Sequence, residues 1–171
     1  MREEIFRTKR SFLIPLITVV VLLFLLFLIS LYKGQAGEKI ILALLFIIPL
    51  SIAIETAKRE IIISDKGLII RKFLRRKEFD FTQITHLAVI ALKKNVYFLL
   101  TTTKGSYIFS NLLENHALLI RSLMDRLGEE KVEEEVKTYL EHPVERLSMI
   151  VMSWIAVLVL VALIILKVTV I

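Results

Sequence analysis

Two stretches of this chain, Phe12 to Leu31 and Leu147 to Leu166, carry no charged residue, and a third, Ile40 to Ala57, carries only Glu55. As helices rising 1.5 Å per residue, each reaches about 27–30 Å, the depth of a bilayer's hydrocarbon core. Composition points the same way, because 56% of the 171 residues are apolar, against about 45–50% in a typical soluble domain. The expected class is therefore an α+β membrane protein with three transmembrane helices. Residues 1–57 would form an N-terminal segment and a hairpin (helices about 12–31 and 40–57). Residues 58–142 have room for one small folded domain, and residues 143–171 supply the third span and a tail. The absence of cysteine excludes disulfides, thiolate catalysis and cysteine zinc sites.

The first run is longer than the roughly 7–15-residue apolar core of a secretory signal and no A-x-A-like site follows it, so it reads as a retained anchor. Pro15 falls in its first turn, where a missing N–H costs least. Gly34 and Gly37 mark a short turn between the first two helices, and Pro49 should kink the second, freeing a carbonyl for a neighbouring helix or Ser51. Glu55 is an intramembrane polar candidate, although Lys58 and Arg59 at i+3 and i+4 suit an ion-paired helix end. Lys and Arg near the span ends number four in Met1 to Ser11, eight in Lys58 to Lys77, and Arg146, against Lys33, Lys39 and Lys167 on the other side. The positive-inside rule then sets a multi-pass protein in the inner (cytoplasmic) membrane, with the N-terminus and the folded domain cytoplasmic and the C-terminus outside.

Within 58–142 the pattern changes to short extended runs: Glu60 to Ile63, Leu68 to Phe73, Arg76 to Phe81, Thr85 to Leu92, Val96 to Thr102 and Ser106 to Ser110. Between them lie the turns Ser64-Asp65-Lys66-Gly67, Lys93-Lys94-Asn95 and Thr103-Lys104-Gly105. Gly67 is available there for positive φ. Short strands with a turn every 8–12 residues or so predict a small antiparallel β-barrel or sandwich. Asn111 and Glu114 have capping-pair spacing, and Leu112, Leu113, Ala117, Ile120, Leu123, Met124 and Leu127 recur at helical intervals up to Gly128. One amphipathic helix should therefore close the strands. The acidic stretch Glu129 to Glu141, with Glu133 four residues before Lys137, predicts a weaker helix ending before Pro143.

The runs ISDKGLIIRKF and EFDFTQI, followed by further strands and a terminal helix, resemble the bacterial pleckstrin-homology domains of small multi-span membrane proteins. The resemblance covers roughly Glu60 to Leu127 and rests on order and spacing. It implies a non-enzymatic, membrane-attached interaction module. The terminal helix lacks the tryptophan typical of eukaryotic relatives, and the first turn lacks their Lys-x-Arg cluster, so phosphoinositide binding does not carry over.

No catalytic, cofactor or metal constellation is present in the sequence. His86, His116 and His142 are widely spaced and lack a ligand-like pattern, and no glycine-rich phosphate loop precedes the helix. One electrostatic feature stands out: Arg71, Lys72, Arg75, Arg76 and Lys77, with Phe73 and Leu74 inside the same run. Lys58 to Lys104 carries eleven basic and four acidic residues, a net +7, whereas Gly105 to Leu147 carries five and nine, a net −4. A second strand returning from a distal turn would bring the basic cluster toward an anionic leaflet, where each charge is worth up to about 1 kcal/mol. The same charges also suit a solvated strand edge. The expected partners are membrane lipids and a protein partner or a second copy, with no nucleic acid. The expected function is a non-catalytic scaffold or accessory subunit of a membrane complex. Sensing of anionic headgroups is the alternative, and a transport or channel component the third reading.

Overall fold

The segment before the first apolar helix, which the sequence presents as no more than a basic flank, is a β-strand. A computed structural model describes residues 3–92, 95–143 and 147–169; Arg2, Lys93, Lys94 and Arg146, used in the sequence reading, lie outside the described residues. The chain runs β1 (Glu4–Arg7), α1 (Arg10–Lys33), α2 (Ala36–Ala57), β2 (Glu60–Ile63), β3 (Gly67–Arg71), β4 (Arg76–Asp80), β5 (Ile84–Leu92), β6 (Asn95–Thr102), β7 (Gly105–Ser110), α3 (His116–Leu127), α4 (Glu134–Glu141) and α5 (Leu147–Thr169). It divides into two units, one of α1, α2 and α5, the other of everything else. By its contacts the N-terminal segment up to Lys9 groups with the unit that resumes at Lys58, because β1 hydrogen-bonds to β2 across the intervening hairpin.

In the helical unit, α1, α2 and α5 are each long and apolar enough to cross a membrane. Val20, Leu23, Leu26 and Ser30 of α1 are buried at intervals of three and four, one stripe of the helix, while most other apolar side chains of the three helices point outward. Phe24 of α1 meets Phe46 of α2 with ring centroids 5.4 Å apart. Lys167 near the end of α5 is ion-paired with Glu38 in the first turn of α2, so these two helix ends lie together. Pro15 sits in the second turn of α1, one turn later than expected, because the helix already starts at Arg10. Pro49 cannot bond the carbonyl of Leu45, and the Ser51 hydroxyl does not replace it, donating instead to the carbonyl of Ile47 at 2.9 Å.

The second unit is mixed α+β with two antiparallel sheets, β1-β2-β3-β4 and β5-β6-β7. The expected barrel is not formed, since neither sheet closes. After β4 the chain takes a 3-10 turn, Phe81–Gln83, and starts a separate ladder at Ile84. In the first sheet, Phe6, Ile61 and Ile70 fall on one cross-strand line and Ile63, Leu68 and Phe79 on another. Together with Val96, Phe98, Leu100 and Phe109 of the second sheet they form a single core. Leu119, Ile120 and Leu123 of α3, all fully buried, complete it, with Val136 and Tyr139 of α4. Phe98 stacks on Phe109 at 5.4 Å and takes the edge of Tyr139 at 5.2 Å.

Both sheets are sewn along edges that a free strand would leave open. Outside β1, Thr8 bridges Leu113, the Glu114 amide donates to the Arg7 carbonyl (2.7 Å) and the Lys9 amide to the Leu112 carbonyl (2.9 Å). Those bonds hold residues 112–114 out of helical geometry, which is why α3 begins at His116 and not beside Asn111. The residue before it, Asn115, adopts a left-handed φ of 50°. Along β5, Val132 forms a parallel bridge to Leu87, and the Glu133 amide donates to the Leu87 carbonyl at 3.1 Å. The predicted Glu133–Lys137 pair is replaced accordingly: Glu133 takes His86 at 2.7 Å, and Lys137 lies 3.6 Å from both Glu129 and Glu134.

Candidate functional site

The basic cluster is a hairpin end, with β3 ending at Arg71 and β4 beginning at Arg76, the two paired across the ladder. The Lys72 amide donates to the Arg75 carbonyl at 2.8 Å, closing a four-residue turn. Phe73 does not continue β3, as the alternation suggests; with Leu74 it forms the tip. The reason lies in the register: a ladder anchored at Leu68↔Phe79 runs out at Arg71↔Arg76, and the four residues between must reverse the chain.

The register also fixes which end of the sheet this is. Arg7, Glu60, Arg71 and Arg76 form one row across all four strands. Glu60 accepts from Arg7 Nε at 2.9 Å and from Arg71 Nη1 at 3.4 Å, so one carboxylate holds two of the arginines. Thr8 and Lys9 link this row to α1, and Lys58 and Arg59 link α2 to it. The opposite end of the sheet carries the Ser64–Gly67 turn. Within this unit the lysines and arginines at or next in sequence to the row are Arg7, Lys9, Lys58, Arg59 and the five of the hairpin, with Glu60, Glu78 and Glu114 as the acidic residues beside them.

The five predicted residues are therefore brought together, each in a different setting. Arg71 shares Glu60, Arg76 Nη2 lies 3.4 Å from Glu78 Oε2, and Arg75 is exposed in the turn beside Lys72. Lys77 occupies the inward line of Phe6, Ile61 and Ile70 at the edge strand, and its ammonium escapes burial by donating to Tyr107 Oη (2.9 Å) and lying 4.7 Å from the centre of that ring. Phe79 also packs against Tyr107, with ring centroids 4.7 Å apart. Glu55 belongs to the helical unit and is exposed on the last turn of α2. Arg59, two residues past the end of α2, donates from Nη2 to the Ile108 carbonyl at 3.1 Å.

What the sequence reading missed is the pair at the tip. Phe73 is 51% and Leu74 84% exposed, the latter more than any aliphatic side chain described on the three apolar helices. The available signal was an apolar pair in the middle of a basic run, which strand alternation alone absorbs into β3. Among the described residues no three His, Asp or Glu side chains converge on a possible metal position. His116 is instead buried near Tyr139, ring centroids 6.0 Å apart. No family model, curated protein or solved structure matches this chain.

Proposed function

We propose that this chain is a three-span protein of the inner membrane whose cytoplasmic, pleckstrin-homology-like domain is a non-catalytic scaffold or accessory subunit of a membrane complex. The observation that carries this reading is the splice between the two units. The hairpin α1–α2 interrupts the connection between β1 and β2, which are hydrogen-bonded neighbours, and each crossing has only two linking residues. Both links leave the same row of the sheet, which suits a domain presented to a partner in the same membrane. The pleckstrin-homology likeness is supported by the four-plus-three strand order and by the buried helix that follows it. The thirteen-to-three basic bias supports a cytoplasmic domain.

Single cysteines introduced into this cysteine-free chain test the topology. Asp65→Cys should be shielded from an impermeant thiol reagent in intact cells and Ala36→Cys should react; labelling at 65 from outside overturns the reading. Photo-crosslinking of the full chain in native membranes tests the role, with a discrete cross-linked protein expected and none recovered counting against a scaffold. A second reading, contact with anionic headgroups through Arg71, Lys72, Arg75, Arg76 and Lys77, is favoured by their clustering at the sheet end that joins the apolar helices.

A further inference from the structure

We propose that the β3–β4 turn is a second, peripheral attachment to the bilayer, in which Phe73 and Leu74 insert into the headgroup–acyl boundary while the flanking basic side chains engage anionic headgroups. The inference deepens the headgroup reading and rests on the apolar helices spanning a membrane.

Turns are ordinarily polar, because their backbone and side chains face water. This one places its two largest apolar side chains at its centre, 51% and 84% exposed. Neither joins the core shared by the two sheets. Burial in that core therefore does not account for them. Their neighbours do not suit a protein-like apolar pocket either: Arg71, Lys72, Arg75, Arg76 and Lys77 surround the pair, and the acidic residues closest to them in the sheet are Glu60 and Glu78. An apolar tip within a basic ring matches an anionic leaflet, where apolar side chains sink a few ångströms and lysines and arginines stay at headgroup level.

Chain length makes this contact available. Three Cα steps separate Ala57 from Glu60, and three separate Arg7 from Arg10, so each link spans at most about 11 Å. The tip extends about 7 Å beyond the Arg71–Arg76 pair, two residues of extended chain. Both lengths are on the scale of a headgroup layer roughly 5–8 Å thick on each side of the hydrocarbon. At the far end of the sheet Glu4, Asp65 and Asp80 outnumber Lys66 and Arg126, so that end suits an anionic surface less well.

The test uses the full chain with one environment-sensitive fluorophore on an introduced cysteine at a time, in nanodiscs of phosphatidylcholine with or without about one-third phosphatidylglycerol. Leu74→Cys should give a blue-shifted emission that is several-fold less quenched by iodide in the anionic discs than in the neutral ones. Asp65→Cys should remain aqueous in both, and Leu158→Cys, on an outward face of α5, should be lipid-buried in both. Charge reversal of Arg75 and Arg76 to Glu, at exposed positions outside the core, should remove the shift at position 74. Raising salt above physiological strength should weaken it, since surface charges are then screened within about 8 Å. A probe at 74 that stays aqueous in anionic discs while 158 is buried overturns the insertion and leaves the spanning reading standing. Aqueous probes at both positions overturn both. Equal shielding at 74 in neutral and anionic discs rejects the role given to the basic ring.

Discussion

Gly67 shows how a residue can be required for a reason its type does not announce. It begins β3 without a positive φ, unlike Gly105 and Gly128, so the freedom expected of a turn glycine is not what is used there. A Cβ at this position would overlap the carbonyl oxygen of Phe79 and stand 2.9 Å from its carbonyl carbon, both backbone atoms of the paired strand. Backbone cannot step aside as a side-chain tip can, so Gly67→Ala should separate β3 from β4 and cost about 1–3 kcal/mol. Hydrogen-exchange protection of the β3 and β4 amides in the full chain reads this directly, and unchanged protection would refute the close approach. Arg126 adds to the constraint on the same turn: its guanidinium donates to the Ser64 carbonyl and lies 5.6 Å from the centre of the Phe81 ring. Neither contact leaves a trace in local sequence, since 62 positions separate Arg126 from Ser64.

Among the elements, α3 was the most legible, and its start the least. Its apolar stripe is set by helical periodicity alone, and the buried Leu119, Ile120, Leu123 and Leu127 follow that spacing. Leu123→Asp should cost about 3–5 kcal/mol, because it sets an unpaired charge in a fully buried position of the core. Thermal unfolding of the reconstituted chain checks it, and an unshifted midpoint would mean the stripe faces solvent. The N-terminus was misread because Asn111 and Glu114 have capping spacing while their backbones are used elsewhere, in bonds to Val96 and Arg7. Six of the seven strands, β2 to β7, lie at nearly their expected limits, since alternation marks them. The end of β3 is the exception, because Phe73 fits the alternation and only the pairing with β4 shows that the ladder has ended.

The molecule as a whole turns on β1. Four residues before an apolar helix offer too short a window for any periodic signal, and their partner lies more than fifty positions away, beyond the hairpin. Yet Phe6 is buried in the core, and the edge of β1 carries the bonds to residues 112–114. Phe6→Ala should therefore destabilise the strand domain by about 3–5 kcal/mol, as truncation of a buried aromatic does. Loss of exchange protection in β2 ahead of β6 would be the signature, and a domain of unchanged stability would show β1 to be dispensable. The three apolar helices, the strand-then-helix order and the basic run were determined by the sequence itself, because hydropathy, periodicity and charge are local properties that a window of residues already contains. That β1 completes the first sheet, that the sheets stay open, and that Phe73 and Leu74 stand exposed among five basic side chains were decided only by the tertiary structure. Each depends on a register between strands that are distant in the chain, and register follows from which faces are buried together, not from the identity of any one segment.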